Sequence, residues 1–292
     1  MRLDEFIITV FCWVTQELET VTDGVKLRTR GFAPRLSDSE VITMERVGEL
    51  LGYAGDEAIW KYFRQHWAVW FPGLGNRTTF LRQAANLWWV KQPLQERLVT
   101  DLGARTADCH IIDGFPITMC NPARASRSRV LKYGYCAAKE EHYCGLKANL
   151  LIDLRRTVVG ITLPAAHVDE RESAYDLVSV IAGLLLGDKG FSRPPFNVDG
   201  DVLGIDLQTS LCKNMIERRP RGWLPLLQRL RQRVEAMISQ REQRVGLAKT
   251  RTHDVWHLTY QVTQKLLAHT LGIWLNLHQG REPLELDSLV AA

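Results

Sequence analysis

Apolar residues along the first hundred positions recur at helical spacing. Leu3, Phe6, Ile7, Val10, Phe11, Val14 and Leu18 fall on one side at steps of three and four, which predicts an amphipathic first helix. Ser37 with Glu40 three residues on has the form of a capping box, and Val41, Met44, Val47, Leu50 and Leu51 supply the stripe behind it. Gly52 and Gly55 close that helix. A third helix is predicted over 58–70 and is broken by Phe71-Pro72-Gly73-Leu74-Gly75. A fourth covers 78–91 and carries Phe80, Leu81, Ala84, Leu87 and Trp88. Short helices with tight turns, together with Arg64, Arg77 and Arg82, suit a helix-turn-helix-like DNA reader. A plain helical bundle fits the same pattern.

Past Gly103 the apolar runs shorten and turn strand-like. His110-Ile111-Ile112-Asp113 reads as a short buried strand ending in an acid. Residues 147–153 and 157–163 read as a hairpin turning at Leu154-Arg155-Arg156, and a helix is predicted over 169–184. Leu184-Leu185-Leu186-Gly187-Asp188 is another strand ending in an acid, and 204–209 is a fifth. A helix over 226–240 bears Glu235, and 254–278 adds a closing helix. Strand, hairpin, helix, strand, strand, helix is the order of an RNase H-like α/β domain. The expected organisation is therefore a helical region over 1–104, an RNase H-like core with a five-stranded mixed sheet and flanking helices over 105–280, and a frayed tail over 281–292.

Length and charge narrow the class. The chain has 292 residues, 46% of them hydrophobic and 24% charged, as expected of a globular protein with one or two cores. The net charge of +4 is modest, but it is unevenly spread. Residues 213–251 hold eleven Lys and Arg against three acids, and Arg124, Arg127, Arg129, Lys132 and Lys139 form a second block without an acid between them. Two such blocks are a footprint for a polyanion, although solvated helix faces look the same. No run reaches the roughly 18 apolar residues of a membrane span, and the acids Asp4, Glu5, Glu17 and Glu19 around the first run are unlike a signal peptide. A cytoplasmic protein with no membrane partner is expected. The six cysteines contain no Cys-x-x-Cys, and Cys136, His142 and Cys144 lack a fourth zinc ligand at the usual spacing.

The candidate chemistry lies in the acids. Cleaving a phosphodiester requires an activated oxygen and a stabilised leaving oxygen, and two Mg²⁺ ions about 3.5–4 Å apart do both. Such ions take hard carboxylate ligands held on rigid elements. Asp113 and Asp188 each follow an apolar run, so each is placed near the end of a buried strand, where ligands gather in α/β sheets. Asp113 before Gly114 could instead be a turn former, and Asp188-Lys189-Gly190 a simple loop start. Two unpaired acids at such a place repel, and a metal removes the conflict. Glu235 lies on a predicted helix with Leu227, Leu230, Arg231, Val234 and Ile238; by itself it reads as a solvated residue, and its claim comes from following the two strand acids and from Arg231 four residues earlier.

At these residues the chain resembles bacterial insertion-sequence transposases with a DDE core, in particular insertion-sequence family nine-eighty-two. The likeness runs through Thr22-Asp23-Gly24-Val25-Lys26-Leu27-Arg28-Thr29-Arg30, Leu36-Ser37-Asp38-Ser39-Glu40, Ile112-Asp113-Gly114-Phe115-Pro116 and Tyr133-Gly134-Tyr135-Cys136-Ala137-Ala138-Lys139. It continues through Gly145-Leu146-Lys147, Leu186-Gly187-Asp188-Lys189-Gly190-Phe191, Val234-Glu235 and Trp256-His257-Leu258-Thr259. The resemblance implies an RNase H-like core in which Asp113, Asp188 and Glu235 bind two Mg²⁺, with Mn²⁺ able to substitute. It implies double-stranded DNA as partner, both element ends with terminal inverted repeats and target DNA, and a dimer or higher oligomer at synapsis. Related transposases carry Tyr, Arg, Glu and Lys around the catalytic Glu. Here Arg231 and Glu235 fit, Gln228 stands at the Tyr position and Glu242 at the Lys position, with Arg241 or Arg244 as substitutes for that Lys. The candidate DNA-contacting set is Arg77, Arg82, Arg124, Arg127, Arg129, Lys139, Lys189, Arg231 and Arg241. A metal-dependent nuclease without strand transfer, and a domesticated non-catalytic DNA-binding protein, are the competing functions.

Overall fold

The computed structural model describes residues 1–25, 27, 33–53, 55–120, 132–136, 140–191, 204–209, 220, 222, 223, 225, 226, 229 and 254–290. The chain is a mixed α/β protein that divides into two compact units, Met1–Asp101 with Tyr260–Ala292, and Leu102–Thr259. Among the described residues no helix is long and apolar enough to cross a membrane.

The first unit is helical. It contains α1 (Leu3–Thr22), α2 (Asp38–Leu50), α3 (Asp56–His66), α4 (Arg77–Asn86) and α5 (Trp88–Asp101). It also holds α7 (Val255–His278) from Tyr260 onward. The predicted stripes meet in one core, where Phe6 and Val10 of α1, Met44 and Val47 of α2, Phe63 of α3 and Phe80 of α4 are buried. The capping box forms as the sequence requires: the Glu40 N–H donates to Ser37 Oγ at 3.1 Å, and the Ser37 N–H to Glu40 Oε2 at 2.6 Å. We expect Ser37→Ala to lower stability by about 1 kcal/mol, read as a lower urea midpoint. An unchanged midpoint would mean that water replaces the cap without loss.

Several boundaries differ from the sequence expectation. The third helix stops at His66, and the segment expected as one helix over 78–91 forms α4 and α5, parted at Leu87, with Pro93 inside α5. The closing helix has nearly its expected limits, Val255–His278, and the tail differs more. Leu267, Leu271 and Leu275 of α7 enter the helical core, and so does Leu289 of the tail, which is 1% exposed. A short 3-10 helix over Leu286–Ser288 and a bond from the Arg281 guanidinium to the Ser288 carbonyl (2.6 Å) hold the tail. Burying Leu289, with Leu286 seated against Gly272, favours this order over fraying.

Charged and polar groups are buried at the centre of this helical unit. Glu45 of α2 and Lys91 of α5 are both fully buried, 2.7 Å apart. The same Glu45 oxygen accepts from the Tyr260 hydroxyl at 2.8 Å and from the Gln264 amide of α7. Lys91 Nζ also donates to the Ala84 carbonyl at 3.1 Å and lies 4.6 Å from the centre of the Tyr260 ring. Tyr260 donates to Asp56 of α3 at 2.7 Å as well, and Arg46 reaches the Gln264 carbonyl. Burial pushes the Glu45 carboxyl above its usual range, partly offset by Lys91, and burial pushes Lys91 down, partly offset by Glu45. Helices α2, α5 and α7 thus meet at one buried carboxylate, and α3 joins them through Asp56 and Tyr260.

The second unit is built on a six-stranded sheet rather than the expected five. Its strands are β1 (Cys109–Cys120), β2 (Lys132–Cys136), β3 (Glu141–Asp153), β4 (Val158–Thr162), β5 (Gly183–Gly187) and β6 (Ile205–Thr209), with α6 (Glu170–Val178) following β4. The sheet order is β2-β3-β1-β5-β6, with β4 also paired to β3. β1 and β4 each run antiparallel to β3, whereas β5 and β6 run parallel to β1. The hairpin β3–β4 turns on Asp153, which accepts from the Thr157 N–H at 2.7 Å and from Arg155 at 3.1 Å. β1 does not end at Asp113 but continues to Cys120, because the long β3 offers it an antiparallel partner throughout. The predicted helix over 169–184 ends at Val178, and β5 begins at Gly183 with a φ of 89°. Of the predicted helix over 226–240 only residues 226 and 229 are described, both helical.

Candidate active site

Asp113 sits inside β1, opposite Leu150 of β3, and its Oδ1 accepts from the Gly114 N–H at 2.8 Å. On its other side β1 runs parallel to β5 in the register His110↔Leu185 and Ile111↔Leu186. Carried two residues further, that register sets Asp113 level with Asp188, the residue that follows the last residue of β5. Asp113 therefore lies where β1 loses its parallel neighbour and keeps only β3. The two carboxylates come from adjacent strands at one level, Asp113 half-buried and Asp188 exposed.

Local packing fixes both strands. Asp188 leads into a short 3-10 helix over Lys189–Phe191, closed by the Phe191 N–H donating to the Asp188 carbonyl at 3.0 Å, and Phe191 is fully buried. A Cβ on Gly187 would meet the Phe191 ring at 3.2 Å and Ile112 at 3.4 Å, so a larger residue before Asp188 would press against the strand carrying Asp113. Gly145 of β3 is more constrained, since a Cβ there would lie 2.0 Å from the Ile117 carbonyl oxygen of β1. Gly145 is thus required by the approach of β1, and Gly187 stands close against the Phe191 ring. At the opposite ends of β1 and β5, an open groove of about 810 Å³ is lined by residues including Arg105, Asp108, Ser179 and Val180. It lies at the start of the strands, away from the end where parallel α/β sheets gather ligands.

Of the expected triad, Asp113 lies on β1 and Asp188 directly after the adjacent strand β5. Glu235 lies outside the described residues, as do Arg124, Arg127, Arg129, Lys139, Arg231, Arg241 and the side chain of Lys189. Among the described residues no group of three or more His, Cys, Asp or Glu gathers as a metal centre. Carboxylates are hard oxygen donors of the kind divalent cations take.

Arg77 and Arg82 belong to the helical unit. Arg77 opens α4 behind the Asn76 cap, and its guanidinium lies 2.7 Å from Glu57 of α3, which Lys61 also meets at 3.1 Å. Lys61 first, then Arg77, holds the Glu57 carboxyl below its usual range. Arg82 is exposed on α4, on the side shared with Thr78 and Thr79. The connection from α3 to α4, residues 67–76, is longer than the roughly three- or four-residue turn of a helix-turn-helix. Its tip carries two exposed apolar residues, Val69 and Trp70, not included in the sequence-derived set. The available signal was charge: residues 58–95 contain no acid.

The fold is a mixed α/β domain with Asp113 on β1 and Asp188 just after the parallel neighbour β5. Residues 103–255, slightly over half of the 292, match the family model described as Transposase DDE domain, and the chain belongs to that family. The protein is accordingly a transposase by family. No individual curated protein matches it significantly.

Proposed function

We propose that this chain is the DNA transposase of an insertion sequence of family nine-eighty-two, with Asp113, Asp188 and Glu235 holding two divalent ions. The observation that supports the reading is the parallel pairing of β1 and β5, whose register, carried two residues past Ile111↔Leu186, would set the two strand acids level. The strand arrangement, antiparallel through β4, β3 and β1 and parallel from β1 to β6, supports an RNase H-like core. Bound Mg²⁺, or Mn²⁺ in its place, would supply activation of the attacking oxygen and stabilisation of the leaving one. The chain supplies the ligands and the positioning. Asp113 is oriented by its bond from the Gly114 N–H, and Asp188 by the turn that Phe191 closes. Arg231, Arg241, Lys189 and the block Arg124, Arg127, Arg129 and Lys139 supply phosphate contacts in this reading. The helical unit, through α4, recognises the terminal inverted repeats, and DNA joining takes place in a dimer or larger assembly.

The test is cleavage of cloned element ends by the purified chain with Mg²⁺ and with EDTA. Specific nicking at the ends, abolished by EDTA and followed by joining to target DNA, is expected. Cleavage without joining would point to a nuclease, and end binding without cleavage to a non-catalytic binder. A separate expectation concerns Arg231, four residues before Glu235 and so on the same side of a helix if one forms there. Its guanidinium can hold a phosphate with two parallel bonds, which an ammonium cannot. Arg231→Ala should lower cleavage or joining at least about tenfold, roughly 1.4 kcal/mol at the transition state, with Arg231→Lys recovering part. Wild-type rates at saturating metal and DNA would make the arginine a solvated bystander.

A further inference from the structure

Val69 is 91% exposed and Trp70 43% exposed, side by side at the tip that follows α3. Two large apolar side chains are costly to leave in water unless something covers them. Their support is rigid. The Trp70 N–H closes a turn onto the Trp67 carbonyl at 2.9 Å, and the two indoles meet edge to face with centroids 5.1 Å apart. Trp67 in turn donates through Nε1 to the Tyr62 hydroxyl at 3.3 Å, and Tyr62 stacks on Tyr53 at 4.5 Å. Tyr62 and Phe71 each lie edge-on to the buried Phe63, which seats the tip on the core. Arg64 donates to the Leu74 carbonyl at 3.3 Å and pins the far side of the loop.

The two helices flanking this tip carry more cations than acids: Lys61, Arg64, Arg77 and Arg82 against Asp56 and Glu57, with Glu57 paired to Lys61 and Arg77. An apolar projection on a cationic surface matches a nucleic acid, whose phosphates meet the cations while its bases offer apolar faces. Proteins that bend duplexes insert such side chains between base pairs, most easily at flexible pyrimidine–purine steps.

We propose that Val69 and Trp70 form a wedge that enters one base step of duplex DNA, while cations of α3 and α4 hold the flanking phosphates. The proposal rests on the reading of the helical unit as the part that binds element ends, and it adds how the duplex is engaged.

The test uses the full chain and labelled duplexes taken from the DNA flanking the reading frame, with 2-aminopurine placed at successive positions. Wild-type protein should raise 2-aminopurine emission at one or two adjacent positions, the mark of an opened step. Trp70→Ala should remove that rise and weaken binding about tenfold, since loss of base–aromatic stacking acts on this scale. Trp70→Phe should keep most of both effects. Val69→Ala should weaken binding several-fold without moving the melting temperature, because so exposed a side chain has little folded-state packing to lose. Wild-type binding and emission in Trp70→Ala would overturn the wedge and leave the end-binding reading standing. Failure of the wild-type chain to bind any flanking duplex would overturn both. Self-association lost in Trp70→Ala, with DNA binding unchanged, would assign the tip to a second copy of the chain and so also overturn the wedge.

Discussion

Replacing Asp113 with asparagine is expected to lower DNA cleavage by at least about a thousandfold, roughly 4 kcal/mol at the transition state, and to leave binding to element ends nearly intact. The amide keeps the carboxylate's shape and retains an oxygen for the Gly114 N–H now 2.8 Å away. Strand β1 and its pairing with β3 therefore need not change, and the melting temperature should stay close to that of the wild type. What is lost is a negative oxygen donor for a divalent ion. End binding is carried mainly by phosphate contacts elsewhere, so it should survive. Asp188→Asn should behave alike, because the register places it level with Asp113. The comparison needs cleavage rates and gel-shift affinities on the same duplex. Equal losses of cleavage and binding would show the acids to be structural, and full activity would remove them from the site.

Lys91→Met should have the largest effect on stability, a loss of about 3–5 kcal/mol. Methionine fills most of the space but leaves the Glu45 carboxylate, fully buried, without its cation. Tyr260 and Gln264 still donate to it, yet neither carries charge. The variant should also become pH-dependent in a defined sense. The folded-state carboxyl of Glu45 already lies above its ordinary 4.5, with burial the largest cause and Lys91 the chief opposing influence. Removing Lys91 raises it further. A group whose folded pKa is raised contributes stability that is complete below its unfolded pKa and is lost as pH rises through the folded one. Urea unfolding of Lys91→Met should thus show more stability in acidic than in neutral buffer, in a window opening near 4.5 and running upward. Replacing Glu45 and Lys91 together with Leu and Met should recover much of the loss, as a buried pair exchanged for apolar groups often does. A single variant as stable as wild type would mean that Glu45 finds water or another cation.

Much of the local structure was legible along the chain. The capping box at Ser37, the apolar stripes of α1 and α2, the β3–β4 hairpin and the strand before Asp188 all follow from short-range rules of periodicity and turn chemistry. Elements whose limits depend on a distant partner were not. β2, with exposed Tyr133 and Tyr135 around Gly134, has little apolar alternation and pairs only because β3 lies beside it. The far half of β1 beyond Asp113 exists for the same reason. Lys91 reads as a solvated helix cation, and only its position opposite Glu45 makes it a core residue.

For the candidate site, the sequence alone determined that two acids follow apolar runs and that glycines stand beside them, since composition and spacing are local facts. Tertiary structure decided that the strands before the two acids, β1 and β5, are parallel neighbours, because pairing of distant segments is set by the sheet and not by local sequence. It likewise decided that Tyr260 and the residues after it complete the helical unit. An amphipathic helix announces that it has an apolar face, but the core it joins is chosen by shape and by the buried partners waiting there, here Glu45 and Asp56 for Tyr260.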